Sequence, residues 1–482
     1  MSILFSRGRE LLLCSTSTGG NLENRKMMIK RLLAFFMLCN SVGYAQNPII
    51  QTKYTADPAP LVYNDTVFLY TSHDEDDSPV GQGRFLMRDW LCYTSTDMVN
   101  WTDRGVVASL RNFKWADKAL TGWDGFENGA WAPQTIERDG KFYMYCPVQG
   151  RGIGVLVADN PLGPFIDPLG KPLIGDKYDS IDPSVFIDDD GQAYLYWGNP
   201  NLWYVKLNKD MISLSGEIIK DVSFAKVKDQ PDPFHYQEGP WAYKRKDKYY
   251  MAYASTCCPE GIGYAMSDSP VGPWEFKGYI MRPNSKSTGN HPGIIDYKGK
   301  SYVFGFNFRL NFMITDKHHE RRSVCVAELH YNPDGTIQEL PWWTEEGLQE
   351  TGLINPYVVT QAETIAWASG LKTKKDSLGG GLYVTQINNG DYIKVKGVDF
   401  KKGSRAFHAN VASASGGSLE IRLDSLSGKI LGVCDIKDTG GIQQWKTLTA
   451  KTAKTSGTHD VYFVFRGPEG ADLFNFNWWR FN

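Results

Sequence analysis

The 482-residue chain lacks a strong charge of either sign, and this absence excludes several kinds of partner. Its 52 Lys and Arg residues nearly balance 54 Asp and Glu residues, which leaves a net charge of −2 at neutral pH. Nucleic acids and anionic membrane surfaces attract proteins through clustered positive charge, and a balanced chain offers no such field. We therefore expect no nucleic-acid partner and no electrostatic attachment to a membrane.

Cysteine is also scarce, with eight residues in the whole chain. Their scatter forms neither a zinc-binding CxxC pattern nor a dense disulfide framework. The adjacent Cys257 and Cys258 are the exception, and they are either a disulfide that lines a pocket or two ordinary thiols. Two thiols are the favoured interpretation, because a chain of this length buries enough apolar surface without covalent cross-links.

Long apolar runs are missing after the first 45 residues. No stretch there approaches the roughly 20 apolar residues that a membrane span requires. Near the start, Lys30 and Arg31 precede the run LLAFFMLCNSV, and Gly43, Tyr44 and Ala45 follow it. This order is typical of a signal peptide that is cleaved after Ala45, so we expect export to the periplasm or the cell exterior.

Two details of this N-terminal segment remain open. Residues 1–26 have no part in the signal pattern, so Met27 or Met28 is the expected start of the natural chain. Cys39 inside the apolar run offers a lipoprotein as the alternative, but the bulky residues before it do not favour lipid attachment. We therefore interpret residues 1–45 as an upstream segment followed by a signal peptide.

No amphipathic helix pattern of 10–15 residues recurs, which argues against a βα barrel. Instead, five segments share one plan of strand, tight polar turn and strand. They are VYNDTVFLY from Val62, ERDGKFYMY from Glu137, IDDDGQAYLYWG from Ile187, KRKDKYYMAY from Lys244 and DYKGKSYVFGF from Asp296. The sequence therefore predicts an all-β fold, with a five-bladed β-propeller over residues 46–341.

One residue stands eight or nine positions before the turn of each repeated segment. These residues are Asp57, Trp131, Asp182, Glu238 and His291. Equal positions in a radial repeat converge on one axis, so the five side chains should meet in a central pocket.

Three carboxylates in one pocket suit the hydrolysis of a glycosidic bond. One carboxylic acid protonates the leaving oxygen, and a second carboxylate activates water or attacks carbon. A third acidic group nearby separates the protonation states of the other two, because like charges disfavour ionisation. The competing structural interpretation is that Asp-Pro pairs simply begin turns. Two other acidic runs, Asp74–Asp77 and Asp188–Asp190, are interpreted as a solvated loop and as solvated turn residues; the first could instead rim the pocket.

The repeat pattern ends before residue 357. Residues 342–356 form a connector, and residues 357–482 read as seven or more short strands with turn signals between them. This spacing predicts a β-sandwich, of the jelly-roll kind, as a second domain.

Several segments of the first domain resemble glycoside hydrolase family 43. They are TADPAP, WAPQ, SIDPSVFIDDDGQAYLYWG, YQEGPW and GNHPGI, in the family's order, between residues 47 and 345. The resemblance implies a five-bladed propeller and hydrolysis with inversion. It implies Asp57 as the general base, Asp182 as the pKa modulator and orienter, and Glu238 as the general acid.

The same resemblance implies three further contacts around the sugar. Arg322, in ERRSVCV, matches an arginine that contacts the sugar, and Trp131 is expected to wall the pocket. His291 matches an axial histidine, which in some members of the family holds a calcium through water. An ordinary core histidine and a structural tryptophan are the alternatives for His291 and Trp131.

The second domain resembles carbohydrate-binding module family 6 through the segments QAET, NGDYIKV, GGIQQWKT, SGTHDVYFVF and DLFNFNWW. The resemblance implies that Tyr392 and Trp445 sandwich a sugar ring and that Asn475 bonds its hydroxyls. Glu363 and Asp472 are candidate ligands of a structural calcium, while the chemistry itself requires no cofactor. Asn477 stands where the family commonly has Asp.

The whole pattern resembles the arabinoxylan arabinofuranohydrolases within family 43. The resemblance implies removal of α-L-arabinofuranosyl side groups from arabinoxylan or a related plant cell-wall polysaccharide. A β-D-xylosidase and an arabinan-degrading enzyme are the alternatives among enzymes. A non-catalytic glycan-binding protein is the alternative of another class, although such a protein need not retain an acid and a base.

Overall fold

Antiparallel β-sheets make up nearly all of the computed structural model. It describes residues 47–116, 127–225, 232, 234–285, 290–344, 347–377, 379, 381–401 and 403–482. The predicted signal peptide, its cleavage after Ala45 and the alternative at Cys39 lie outside these residues. In the described part of the chain, no helix combines the length and the apolar character needed to cross a membrane.

The first half of the described chain forms five antiparallel sheets in sequence order. Their strands are β1 (Tyr54–Tyr63), β2 (Thr66–Asp74), β3 (Asp89–Ser95) and β4 (Trp101–Ser109); β5 (Gln134–Arg138), β6 (Lys141–Val148), β7 (Gly152–Ala158) and β8 (Ile174–Gly175); β9 (Ser184–Ile187), β10 (Ala193–Trp197), β11 (Trp203–Leu207) and β12 (Leu214–Lys220); β13 (Tyr236–Arg245), β14 (Lys248–Ser255), β15 (Gly261–Ser267) and β16 (Glu275–Met281); and β17 (Gly293–Tyr297), β18 (Lys300–Asn307) and β19 (Ser323–Leu329).

Helical structure in the described chain is limited to short pieces. The α-helix α1 (Arg309–Ile314) lies between β18 and β19, and the 3-10 helices span Leu110–Asn112 and Asp176–Tyr178. This scarcity confirms the prediction of an all-β fold.

The five predicted hairpins are confirmed as the first two strands of each sheet. Their turns use the expected residues. Asn64 and Asp65 adopt φ angles of 46° and 55°, in the left-handed region that a tight two-residue hairpin turn requires. The polar turn residues therefore set the register that carries each first strand into the interior.

The second half of the described chain forms two sheets that face each other across a separate apolar core. Phe407, Phe463 and Trp479 are fully buried in this core. The strands are β20 (Thr360–Gln361), β21 (Thr364–Ile365), β22 (Trp367–Ser369), β23 (Lys372–Lys375), β24 (Leu382–Thr385), β25 (Tyr392–Asp399), β26 (Ser404–Ser413), β27 (Gly417–Leu423), β28 (Ile430–Ile436), β29 (Gly441–Thr455), β30 (Thr458–Arg466) and β31 (Asn475–Phe481).

The 15-residue strand β29 was missed by sequence reasoning. Its residues GIQQWKTLTAKTAKT are mostly polar, and most of its side chains are at least partly exposed. A strand with few buried positions lacks the alternation of apolar and polar residues by which strands are recognised. Pairing with β26 holds it in the sheet instead.

The two halves share a sheet. Strand β21, from the second half, pairs with the outer strand β4 of the first sheet, with Thr364 opposite Thr102. The two hydroxyls are 2.9 Å apart, and the side chain of Gln51 accepts a hydrogen bond from the backbone of Ala368. The second half is therefore joined to the first by strand pairing as well as by the connector.

Candidate active site

Five residue pairs of the form X-Pro converge in one pocket at the starts of the first strands. They are Asp57-Pro58, Ala132-Pro133, Asp182-Pro183, Gly239-Pro240 and His291-Pro292, and Ala59 and Trp241 complete the lining. Each pair comes from a different sheet, so the convergence that the repeat predicted is present in the structure. The pocket brings together side chains that are far apart in sequence.

The X-Pro pairs also correct the register of the repeat. The sequence count assigned Trp131 and Glu238 to the repeat position, whereas Ala132 and Gly239 occupy it. The first strand of the fourth sheet contains bulges around Glu238, which shift the residues relative to the neighbouring strand. The proline after each position was present in the sequence and was the signal that would have found the register.

Asp57 and Asp182 have unusual backbone geometry. Their φ angles are 50° and 56°, in the left-handed region that residues with a side chain rarely adopt. Both residues are also almost fully buried, at 4% and 3% exposure. Strained backbone of this kind is retained where surrounding structure holds it, and it is concentrated at functional sites.

His291 lies between the three acidic side chains. Its Nδ1 is 3.5 Å from an Asp57 oxygen, and its Nε2 is 3.6 Å from Asp182 and 3.3 Å from Glu238. The ring packs closely on Gly239, where an added Cβ would lie 2.8 Å from ring atoms. One imidazole therefore connects all three carboxyl groups.

Burial and the neighbouring charges strongly shift the pKa values of Asp182 and His291. Burial raises the pKa of Asp182 to about 7; the His291 cation opposes this rise, and the neighbouring Glu238 and Asp57 carboxylates add to it. Burial alone would lower the pKa of His291, but Asp182, Asp57 and Glu238 outweigh it and raise the pKa to about 10. At neutral pH the ring is thus a cation held among carboxyl groups.

Arg322 holds Asp57 and is itself held by Asp74. Its guanidinium donates to Asp57 Oδ1 at 2.9 Å and to both oxygens of Asp74 at 2.9 Å. Asp74 has no exposed surface, and Arg322 is 3% exposed. The interpretation of Asp74 as a solvated loop residue was therefore wrong, because the residue ends strand β2 inside the protein as the partner of a buried cation.

Asn199 holds Glu238 from the other side and was not singled out by sequence reasoning. Its side-chain nitrogen donates a hydrogen bond to Glu238 Oε2. Gln237 donates to Asn199 Oδ1 at 3.2 Å, which fixes the orientation of the Asn199 amide. The other Glu238 oxygen faces His291, so both oxygens of this carboxyl group have defined neighbours.

Trp131 lies beside the pocket lining rather than within it. Its ring packs edge-on against Phe85 with centroids 5.7 Å apart, and Phe85 in turn lies beneath the Arg322 guanidinium at 4.8 Å. Its backbone carbonyl accepts a hydrogen bond from Trp90 at 2.7 Å. The role of Trp131 as a wall for the sugar stays a prediction.

The Asp188–Asp190 run is only partly solvated. Asp188 accepts hydrogen bonds from Lys244 at 3.0 Å and Tyr249 at 2.8 Å, and its side chain is 11% exposed. Asp189 is 84% exposed, as a turn residue should be. The prediction was wrong for Asp188, because the neighbouring sheet supplies a cation and a hydroxyl within its reach.

Cys257 and Cys258 form a disulfide, which corrects the preference for two thiols. The pair follows strand β14, at the same end of the fourth sheet as Glu238. Cys92, Cys146, Cys325 and Cys434 are buried thiols. The bond between adjacent cysteines depends on a local backbone shape that sequence spacing does not reveal.

In the second half, Tyr392 and Trp445 lie on different sheets and have different aromatic neighbours. Trp445 packs edge-on against Tyr383 at 5.3 Å, whereas Tyr392 lies 6.2 Å from Tyr462. Asn475 is on the sheet of Trp445 and donates to the Ile442 carbonyl at 2.7 Å. Sequence reasoning did not single out Tyr383.

Glu363 and Asp472 lie outside the clusters of metal-ligating atoms found in the described residues. Those clusters are Cys257, Cys258 and Glu260; His73, Glu75 and Asp89; and Asp182, Glu238 and His291. Glu363 is 4% exposed at the junction of the two halves, and burial raises its pKa to about 8. The roles of Glu363 and Asp472 as ligands of a structural calcium stay a prediction.

An all-β array that gathers three acidic side chains around one histidine has the fold and the site of a glycoside hydrolase. The chain belongs to family 43 of these enzymes, because residues 45–337 match the sequence profile of the Glycosyl hydrolases family 43. Residues 361–482 match that of the Carbohydrate binding module (family 6). These matches confirm both family resemblances.

Several relatives resemble the chain over both halves. The Arabinoxylan arabinofuranohydrolase of Bacillus subtilis (strain 168) is 34% identical over 90% of this chain and 92% of its own. A crystal structure of a family 43 arabinoxylan arabinofuranohydrolase from Bacillus subtilis, in complex with cellotetraose, has a TM-score of 0.77 at 32% identity and covers 91% of this chain and 99% of that chain. The Beta-xylosidase of Xylanibacter ruminicola is 32% identical over 60% of this chain and 98% of its own.

Proposed function

We propose that this enzyme releases α-L-arabinofuranosyl side groups from arabinoxylan by hydrolysis with inversion. The similarity over both halves carries this proposal, since relatives with that activity in their names match 90% of the chain. The relative named as a β-xylosidase matches only 60% of the chain. A shared module arrangement favours a polymeric substrate with side groups.

Asp57 acts as the general base that activates water. It is buried, and Arg322 fixes one of its oxygens at 2.9 Å. A carboxylate that accepts a charge-assisted hydrogen bond from a guanidinium is held in a fixed position. Water attacking the anomeric carbon would then transfer its proton to this group.

Glu238 acts as the general acid on the opposite side of the sugar. One imidazole ring lies between Asp57 and Glu238, with Nδ1 3.5 Å from an Asp57 oxygen and Nε2 3.3 Å from a Glu238 oxygen. Inverting enzymes use separations of roughly 6.5–9.5 Å, which leave room for the attacking water. Asn199 supports the acid by donating to the oxygen that becomes charged when the proton leaves.

Asp182 orients the other groups and tunes their protonation. It accepts a hydrogen bond from the backbone of Gly239 at 3.1 Å, next to Glu238. Its raised pKa, about 7, allows it to hold a proton near neutral pH, so that the pocket does not carry three full negative charges. His291 balances the remaining charge, and the proposed role of Arg322 is to contact the sugar beside Asp57.

The rest of the architecture is proposed to serve this reaction. The five sheets of residues 46–341 act as the blades of a five-bladed propeller. Residues 342–356 connect this propeller to the second domain. That domain, the jelly-roll module of residues 357–482, binds polysaccharide through the face that carries Trp445 and Asn475. The N-terminal pattern supports export through a signal peptide, where plant cell-wall polysaccharide is available. A structural calcium near Glu363 or Asp472 remains part of the proposal.

Time-resolved proton NMR of residues 46–482 acting on arabinoxylan tests this function. We expect arabinose as the first product, initially as the β-anomer. Release of xylose instead would move the assignment to a β-D-xylosidase. Absence of any released sugar from arabinoxylan, arabinan and xylo-oligosaccharides, with polysaccharide binding retained, would contradict hydrolysis and favour a binding protein.

A further inference from the structure

A fourth acidic side chain, Glu260, is buried beside the pocket, and none of the hydrolytic roles uses it. It directly precedes strand β15 and is 1% exposed. Its Oε2 accepts a hydrogen bond from the backbone N–H of Asn290 at 2.8 Å. Asn290 is the residue before His291, so this contact acts on the segment that carries the histidine.

Asn290 is held from a second side as well. Its side-chain oxygen accepts a hydrogen bond from the backbone of Phe306 at 3.1 Å, and the residue has no exposed surface. An added Cβ at Gly305 would lie 2.6 Å from that oxygen, so the neighbouring strand approaches it closely. Glu260 and β18 therefore hold Asn290 between them.

The position of His291 tolerates little change. Its ring lies against Gly239, and its nitrogens are 3.3–3.6 Å from the three acidic side chains. A small shift of the preceding backbone would either press the ring into Gly239 or break its approach to the carboxyl groups. Accurate placement within about 0.5 Å is what such sites generally require.

We propose that Glu260 is a positioning residue that anchors the Asn290–His291 segment through the Asn290 N–H and so keeps the His291 ring between Asp57, Asp182 and Glu238. This inference rests on the proposed hydrolysis, because its effect is measured on that reaction. Glu260 acts through the backbone of its neighbour and does not itself touch the substrate.

The charged surroundings of Glu260 support the uncharged form. The groups that face it are Glu238 from β13, His291 from the segment before β17, and Arg322 from the segment before β19. Burial raises the pKa of Glu260 to about 8 and Glu238 adds to the rise, whereas His291, the hydrogen bond from the Asn290 backbone and Arg322 oppose it. A protonated carboxyl group accepts the Asn290 N–H through its carbonyl oxygen, as a glutamine side chain would.

The disulfide contributes to the burial of this group. The sulfur atoms of Cys257 and Cys258 and a carboxyl oxygen of Glu260 all lie within 4.8 Å of one another. Both cysteines are exposed, whereas Glu260 is buried. The disulfide therefore lies beside the Glu260 carboxyl group and is itself open to solvent.

The variants Glu260→Gln and Glu260→Ala distinguish the hydrogen-bond acceptor of Glu260 from its ability to ionise. Glutamine removes only the ionisable group, whereas alanine removes both. Glutamine keeps the acceptor oxygen, so its kcat on an aryl α-L-arabinofuranoside at pH 6 should stay within about threefold of the wild type. Alanine removes the acceptor, and its kcat should fall by about tenfold or more while KM changes by less than about twofold. A loss confined to kcat indicates misplaced catalytic groups rather than weaker sugar binding.

The pH dependence of unfolding provides a second measurement that does not require activity. The unfolded chain releases the Glu260 proton near pH 4.5, whereas the folded chain holds it to about pH 8. This contribution to stability is complete below pH 4.5 and is lost as pH rises through that window. The melting temperature of Glu260→Gln should therefore fall less than that of the wild type between pH 5 and 8.

Two results would overturn the inference. Equal damage in Glu260→Gln and Glu260→Ala would show that the charge, and not an uncharged anchor, is required. An unchanged kcat in a folded Glu260→Ala variant would show that no anchor is needed. A wild-type enzyme that releases no arabinose would instead refute the proposed function, which keeps the two failures distinct.

The double variant Cys257→Ser, Cys258→Ser tests whether the disulfide contributes to the burial of Glu260. With water admitted, Glu260 should ionise at lower pH, so kcat at pH 7.5 should fall by about threefold or more relative to its value at pH 6. The same change in a Glu260→Gln background should have no such effect. Equal losses in both backgrounds would show that the disulfide does not act through Glu260.

Discussion

The pocket of the first half and the aromatic face of the second half use different physics. In the pocket, Asp57, Asp182 and Arg322 are at most 4% exposed, and each has charged neighbours in contact distance. On the module, Trp445 and Asn475 lie on one sheet of a fold that is built around a hydrophobic cluster. Buried charges must be paired or they are costly, whereas a ring surface for a sugar needs only shape and partial exposure.

Because of this difference, the two regions draw their residues from different numbers of sheets. The pocket takes residues from five sheets, because no single strand can line more than one side of it. The module face takes Tyr383, Trp445 and Asn475 from one sheet. Changes in the pocket should therefore have large and coupled effects, and changes on the module should have small and separable ones.

The largest expected effect is that of Asp57→Ala. Without the base, kcat should fall by about 10⁴-fold on arabinoxylan and on an aryl α-L-arabinofuranoside, because both reactions need activated water. Steady-state kinetics on both substrates measures the loss. Asp189→Ala, in an exposed hairpin turn, is the matched control and should retain full activity. Turnover of the aryl substrate by a folded Asp57→Ala protein would refute the base assignment.

Arg322→Met should cost the most stability, about 3–5 kcal/mol in the free energy of unfolding, because it leaves Asp57 and Asp74 buried without their cation. Denaturant unfolding measures this change. Arg466→Met in the module removes a contact with Glu420 at 3.4 Å from a side chain that is 42% exposed, and it should cost less than about 1 kcal/mol. Similar losses in the two variants would show that the pocket charges are better solvated than their burial indicates.

Glu238→Ala should reduce activity on arabinoxylan by about 10²–10³-fold, because the sugar leaving group then departs without a proton. An aryl glycoside with a good leaving group needs little protonation, so the loss on it should be much smaller. Kinetics over a series of leaving groups measures this dependence. If both substrates lose activity equally, Glu238 does not act as the general acid.

Asn199→Ala should lower kcat on arabinoxylan by about tenfold, because the donor to Glu238 stabilises the carboxylate that forms as the proton leaves. Asn201→Ala is the matched control on the same loop. The side chain of Asn201 donates a hydrogen bond to Asp179 at 2.9 Å. In the described part of the chain, the side-chain amide that donates to Glu238 is that of Asn199. Parallel losses in the two variants would mean that the loop, and not the bond to Glu238, matters.

The smallest expected effect is that of Trp445→Ala on the module. Its dissociation constant for arabinoxylan should rise by about threefold to tenfold, while kcat on an aryl arabinofuranoside stays unchanged. Affinity electrophoresis in arabinoxylan gels measures the first, and Tyr392→Ala serves for comparison. If Tyr392→Ala weakens binding as much, the two rings do act together, as the family resemblance implied. An unchanged affinity in Trp445→Ala would place the binding surface elsewhere.

Prediction from the sequence succeeded where local patterns are strong. The five hairpins were recognised because polar turn residues stand between apolar strands, and their spacing predicted that Asp57, Asp182, Glu238 and His291 would converge. Prediction failed where a partner comes from another sheet. Asp74 and Asp188 looked solvated in the sequence, but Arg322 and Lys244 reach them in the fold.

The strand register shows the same limit on a smaller scale. A count of residues from the turn placed Trp131 in the pocket, but the adjacent Ala132 lines it. Arg138 pairs with Lys141, so the turn is Asp139-Gly140, and a count of eight from its second residue gives Ala132. Strand pairing therefore decides from which turn residue the count must start. The long polar strand β29 escaped notice for a related reason, since neighbouring strands and not its own pattern hold it in place.

The sequence by itself determined the all-β class, the hairpin repeat, the family and the acidic residues that could serve as acid and base, because these depend on local composition and spacing. Only the tertiary structure decided which groups touch. His291 bridges three carboxyl groups, Arg322 joins Asp57 to Asp74, and Asn199 and Glu260 support Glu238 and Asn290. Such contacts join residues that lie on different sheets, and the charge states that they set depend on burial, which exists only after folding.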